Sequence, residues 1–253
     1  MKAIHLVVGV SLSVVFAVAC ESSPAAPFAD STCSIAALHG AYGALRDGQT
    51  APGTLFTAVG VVTFDGQGNL TANQTVSLNG AFSTAPNQTG TYTMNADCTG
   101  TESDASGQVI SQLTMVHAGD EVLGLSVLPG NTVNIHYERI KGPCSNGTLN
   151  GIYGFQRYGT AAGGIPLVAV GTVVFDGNGK SVASQIIDRG GKAGALVQFP
   201  GVYTLNSDCV GVGFDTTGKA LGPLVVVHGG DEVLGLSQTA GNNVVVHYER
   251  VKE

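Results

Sequence analysis

Apolar residues along this chain recur mostly at every second position, and no segment carries a convincing helical period. The stretch 133–139 shows the pattern: Val133, Ile135, Tyr137 and Arg139 fall on one side, Asn134, His136 and Glu138 on the other. At 244–250 the same alternation sets Val244, Val246, Tyr248 and Arg250 against Val245, His247 and Glu249. The set that is apolar in both stretches is predicted to point inward, which leaves His136 and Glu138 facing solvent. Between 152 and 251, strands are predicted at 152–158, 166–175, 180–187, 196–205, 209–214, 224–228, 232–237 and 243–251. Turns fall at Asp176-Gly177-Asn178-Gly179, Asn206-Ser207-Asp208 and Gly229-Gly230. This is an all-β meander, which closes as an eight-stranded antiparallel up-and-down barrel or packs as a β-sandwich.

The meander occurs twice. Residues 33–141 align with 144–252 at a constant offset of 111, without a gap, and close to half of the positions are identical. Phe64-Asp65-Gly66-Gln67-Gly68 matches Phe175-Asp176-Gly177-Asn178-Gly179, and His136-Tyr137-Glu138-Arg139 is copied at 247–250. A repeat of this length is a duplicated domain, not a solenoid unit. Each copy holds two cysteines 65 residues apart, and Cys20 is left over. Four cysteines allow three connectivities, of which the equal spacing favours Cys33–Cys98 with Cys144–Cys209.

The N-terminal residues read as an export signal. Lys2 is followed by an apolar run at 4–19, shorter than the roughly 20 residues of a spanning helix. The run ends in Ala17-Val18-Ala19-Cys20, which resembles the lipobox of bacterial lipoproteins with Ala17 for the usual Leu; an ordinary signal-peptidase site is the alternative. The lipobox resemblance implies an acylated Cys20, a Ser/Pro/Ala tether over 20–32 and a membrane held by the lipid anchor. Glu21 after the cysteine implies the outer membrane. Without residues 1–19 the chain has 10 basic and 18 acidic residues, and no basic cluster speaks for nucleic acid.

Gly40-Ala41-Tyr42 and Gly151-Ile152-Tyr153 resemble the first-strand G-x-W of calycins, the superfamily of lipocalins and avidins, with Tyr for Trp. The resemblance implies that Arg139 and Arg250, from the last strand, pack over those rings. The strings F-D-G-x-G and G-x-Y-T-x-N-x-D-C also resemble repeats of uncharacterised exported bacterial proteins.

Several residue sets invite chemistry. Tyr42, Arg46, Tyr137 and Arg139, with Tyr153, Arg157, Tyr248 and Arg250, are candidates for a ligand-binding barrel mouth; stacked as a plug they would instead close the barrel end. His117 and His228 precede Asp120-Glu121 and Asp231-Glu232, but read better as strand ends beside hairpin turns. His136 and Glu138 share a strand face, yet two ligands do not make a metal site. Asp65 and its copy Asp176 bring too few carboxylates for calcium. We find no G-x-S-x-G, H-E-x-x-H, C-x-x-C or Walker motif. The expectation is therefore a non-enzymatic binding protein of the cell envelope, without metal or cofactor, taking a small apolar ligand or a protein partner. A structural or adhesive surface protein and a barrel-mouth enzyme using His117 and His228 or the Tyr/Arg pairs are the alternatives.

Overall fold

The computed structural model describes residues 33–252; the expected signal segment, lipobox cysteine and tether lie outside them. The first copy contains β1 (His39–Ala51), β2 (Thr54–Asp65), β3 (Asn69–Leu78), β4 (Ala81–Met94), β5 (Thr99–Asp104), β6 (Val109–Val116), β7 (Glu121–Ser126) and β8 (Thr132–Arg139). Each strand pairs antiparallel with its sequence neighbours, and β8 returns to β1, closing the barrel. The second copy runs through β9 (Asn150–Ala161), β10 (Ile165–Asp176), β11 (Lys180–Arg189), the two-residue β12 (Lys192–Ala193), β13 (Val197–Leu205), β14 (Val210–Asp215), β15 (Ala220–Val227), β16 (Glu232–Leu236) and β17 (Asn243–Arg250). It closes through β17–β9 and β11–β13, with β12 as a short extra strand on β11. The closed-barrel alternative is the one adopted, in both copies. Closure leaves no long unpaired edge.

The F-D-G-x-G strings make the β2–β3 and β10–β11 turns. Asp65 Oδ1 accepts from Gln67 N (2.7 Å) and Asn69 N (2.9 Å). Asp176 does the same for Asn178 and Lys180. Both carboxyls are held below the usual range, Asp65 mainly by the Asn69 side chain and Asp176 by the Lys180 backbone. Disulfides Cys33–Cys98 and Cys144–Cys209 tie the entry of each copy to its fourth hairpin, at β4–β5 and β13–β14.

Inside each barrel, aromatic rings meet edge to face. Phe64 lies 5.3 Å from Tyr42 and 4.9 Å from Tyr92, centroid to centroid; Phe175 stands likewise to Tyr153 and Tyr203 at 5.2 and 5.1 Å. Such pairs contribute about 0.5–1.5 kcal/mol beyond their area. The inward set of the last strand is as the alternation predicts: Val133, Ile135 and Tyr137 are buried in the first core, Val244 and Val246 in the second barrel.

The outward set departs from expectation. Glu138 is 1% exposed, not solvated, because the two barrels dock on each other and cover it. Outward-facing Leu45 and Val59 of the first barrel pack with Val225, Val227, Leu234, Leu236 and Val245 of the second. The strand period correctly turns Glu138 away from its own core, and the neighbouring barrel then buries it. Its copy Glu249, on the same outward face of β17 as His247 but nearer the strand end, keeps a side chain that is 72% exposed. Docking, not the strand, decides.

Two glycines permit this approach. A Cβ on Gly43 would lie 2.5 Å from Val227 Cγ1 and 3.0 Å from Val225 Cγ1, whereas one on its copy Gly154 would meet nothing within 4 Å. Gly80, at φ +81°, sits so close to Gly241 that a Cβ would fall 2.2 Å from its Cα. Gly43→Val is therefore expected to destabilise the chain by about 1–3 kcal/mol through overpacking, while Gly154→Val leaves thermal unfolding nearly unchanged. Equal melting of the two variants would mean that the barrels do not dock this way.

Candidate ligand-binding site

The eight Tyr and Arg residues fall into two layers in each barrel. At one end, Arg139 stacks on Tyr42 and Arg250 on Tyr153, each 4.8 Å from the ring centroid. Tyr42 Oη donates to Gly119 O (2.6 Å), and Tyr153 Oη to Gly230 O (2.5 Å). Arg139 also donates to the carbonyls of His39, Ala37 and Gly119 and pairs with Asp120. Arg250 repeats these bonds on Asn150, Thr148, Gly230 and Asp231. Burial pushes Tyr42 and Tyr153 up to about 12. In these four residues the tyrosine hydroxyls and most of the guanidinium N–H groups are spent on the protein itself, the arrangement of a plug.

The other layer is internal, and here the copies differ. In the first barrel Arg46, on β1, donates through Nη2 to Glu102 Oε1 of β5 (3.0 Å) and to Tyr137 Oη of β8. Tyr137 Oη donates to Glu102 Oε2 at 2.9 Å, closing a three-membered network across the interior. Glu102 is 3% exposed and Tyr137 fully buried. Burial drives the Tyr137 hydroxyl far above its ordinary range, and Tyr137 and Glu102 hold the Arg46 charge in place against burial.

In the second barrel Arg157 and Tyr248 copy Arg46 and Tyr137, but the position of Glu102 is Gly213. The guanidinium keeps one long bond, Nη1 to Gln185 Oε1 at 3.4 Å, and its Nε, like that of Arg46, has no partner among the described residues. Burial, unopposed by an acid, lowers its pKa. Tyr248 is raised by burial. Beside Gly213 the barrel is hollow: a cavity of about 480 Å³ runs between Phe155, Leu167, Phe175, Phe214, Leu236 and Val246, with Arg157, Gln185, Tyr248 and Arg189 among its polar lining. The acid on its wall, Asp215, is taken up by its own turn, where Oδ1 accepts from Thr217 N and Lys219 N. An apolar cavity of a few hundred Å³ with few convergent donors is the usual form of a small-molecule site.

Sequence reasoning named Arg157 and Tyr248 but missed Gln185, Gly213 and the cavity. Comparing the copies for differences, rather than identities, would have found the lost acid. It also set aside His117, His228, His136 and Glu138 separately, whereas the structure draws residues of both copies together. His136, Glu138 and Glu121 of the first barrel face His228, Glu232 and His247 of the second. His117 stays at the rim with a side chain 75% exposed, bonded to Glu121 at 2.7 Å. Burial first, then the Glu232 carboxylate, raises Glu138; hydrogen bonding from His247 lowers Glu232.

No protein-family model matches the chain, and comparison with curated proteins finds no match. Among solved structures the chain is similar to the crystal structure of BamB from Moraxella catarrhalis over 76% of this chain and 81% of that one. The TM-score is 0.16 and the identity 9%, a level at which neither fold nor function carries across.

Proposed function

We propose that this is an exported, non-enzymatic binding protein whose second barrel takes up a small amphipathic anion: an apolar body with a carboxylate that pairs with Arg157. One observation carries the reading. The part-buried Arg157 guanidinium, without the acid that pairs with its twin Arg46 because Gly213 stands in its place, faces a largely apolar cavity of about 480 Å³. A part-buried charge without an acid partner is costly, and a ligand carboxylate would relieve that cost with charge-assisted hydrogen bonds. Tyr248 and Gln185 stand beside it as further donors to the same head group. The first barrel, with Glu102 inside it, has no such need.

Export is supported by the signal-like N-terminus and by two disulfides, which persist in oxidising compartments. In this reading Cys20 is a lipid anchor that holds the barrels at the outer membrane. The protein-partner reading draws on the outer face of β10, where Val168 and Val170 are 55% and 63% exposed.

The test is binding of a medium-chain fatty acid to the full chain, followed by native mass spectrometry and titration calorimetry. One ligand per chain is expected. Arg157→Leu is expected to weaken binding by about 10- to 100-fold, the worth of one charge-assisted contact. Gly213→Glu, which returns the internal acid, is expected to abolish it. Affinity unchanged in both variants would overturn the proposal.

A further inference from the structure

The cluster between the barrels has the makings of a metal site. His228 Nδ1 lies 3.2 Å from Glu232 Oε1 and 3.9 Å from Glu138 Oε2. His247 Nε2 lies 3.2 Å from Glu232 Oε2 and 3.8 Å from Glu138 Oε1. Ligand atoms of Glu138, His228 and Glu232 all fall within 4.8 Å of one another. A tetrahedral ion with bonds of about 2.0–2.1 Å needs neighbouring ligand atoms roughly 3.3 Å apart. The separations of 3.2–3.9 Å straddle that value for His228, Glu232 and Glu138, which lie together; His247 approaches the other oxygen of each carboxylate and would join the same centre by turning its ring and the carboxylates toward it.

A second observation points to an occupant. Glu138 is 1% exposed, and its Oε2 accepts no hydrogen bond although it faces the cluster. Among the described residues no arginine or lysine serves it: Arg139 and Lys141 are engaged by Asp120, and Arg250 and Lys252 by Asp231. Two carboxylates packed together under the barrel interface therefore have only imidazoles for company. His136 holds Glu138 from behind at 3.3 Å while bonding Glu121 at 2.7 Å, the arrangement of an outer group that orients a ligand.

We propose that His228, His247 and Glu232 of the second barrel, with Glu138 of the first, bind one divalent first-row transition ion, zinc by its preference for mixed imidazole and carboxylate ligands, and that this ion fastens the barrels together. Three of the ligands come from one barrel and the fourth from the other, so binding and docking are linked. The free second barrel would hold only an incomplete set. Each copy carries the same His, Glu and His-x-Glu positions, but it is docking that sets Glu138 of the first barrel beside His228 and Glu232 of the second, with His247 next to them.

The test uses the full chain, stripped with a chelator and titrated with zinc by calorimetry and with cobalt(II) by visible absorption. One ion per chain, a cobalt spectrum of tetrahedral type and a higher melting temperature in zinc are expected, since a ligand that binds only the native state stabilises it. Glu138→Gln keeps the shape of a protonated carboxyl, so it should fold and bind zinc at least tenfold more weakly. His228→Ala and His247→Gln should do the same, and His117→Ala, at the exposed rim, should leave affinity unchanged. If Glu138→Gln does not fold, the two histidine variants decide. No saturable zinc binding, or binding that survives these substitutions, would overturn the proposal and leave Glu138 and Glu232 as a pair sharing a proton. Loss of binding in His117→Ala alone would overturn it too, in favour of a surface histidine.

Discussion

Replacing Glu102 by alanine is expected to destabilise the first barrel by about 3–5 kcal/mol, the usual consequence of leaving one member of a buried ion pair alone. Arg46 would keep its charge inside the barrel with only Tyr137 to bond, and the Tyr137 hydroxyl would lose its acceptor. Denaturant unfolding of the full chain measures this, read as a shift of the midpoint at constant slope. The double variant Arg46→Leu/Glu102→Ala is expected to recover most of the loss, because it removes the charge along with its partner. If the single substitution cost under about 1 kcal/mol, the pair would behave as a solvent-screened surface bridge. The matching change in the second barrel has already occurred, at Gly213, and Arg157 there is held by Gln185 alone among the described residues.

The second large effect concerns the disulfides. Each closes a loop between cysteines 65 residues apart. On the chain-entropy model, losing such a bond costs about 4 kcal/mol. Cys33→Ser/Cys98→Ser and Cys144→Ser/Cys209→Ser are therefore expected to lower stability by similar amounts, each acting on its own barrel. Thermal unfolding with and without reductant checks this: the wild-type chain should melt earlier when reduced, and a chain lacking both bonds should not respond to reductant at all. A reductant-insensitive wild type would show that these bonds contribute little to native stability.

Much of the fold was legible in the sequence because a strand's period of two is a local rule and the duplication states it twice. Val133, Ile135 and Tyr137 could be placed from one strand alone, and their copies agreed. Docking is not local. Nothing in His136-Tyr137-Glu138-Arg139 distinguishes it from the identical residues at 247–250, yet Glu138 is buried and Glu249 exposed. The partner surface that makes the difference comes from residues about a hundred positions away. The candidate cavity was half legible for a related reason. Arg157 and Tyr248 carry the right chemistry, but what makes them a site is the absence of a side chain on β14, and a glycine in a strand announces nothing about the strand across the barrel.

The barrels meet through unlike faces, and this sets a limit on growth. A head-to-tail contact is open-ended by symmetry, since the free face of each barrel is the copy of a face that the other has already used. Leu123 and Leu125, 45% and 53% exposed on the first barrel, are the copies of the buried Leu234 and Leu236. On the second barrel Val170 is the copy of buried Val59. A further barrel added in line would nevertheless find Gln156 where Leu45 packs, Thr114 where Val225 packs and Asn134 where Val245 packs. Each would be shut away from water in a seam built for hydrocarbon, at the cost of an unsatisfied polar group. Three polar replacements thus act as end caps, as in repeat arrays whose terminal units carry a polar outer face. They let two barrels share one seam without inviting a filament.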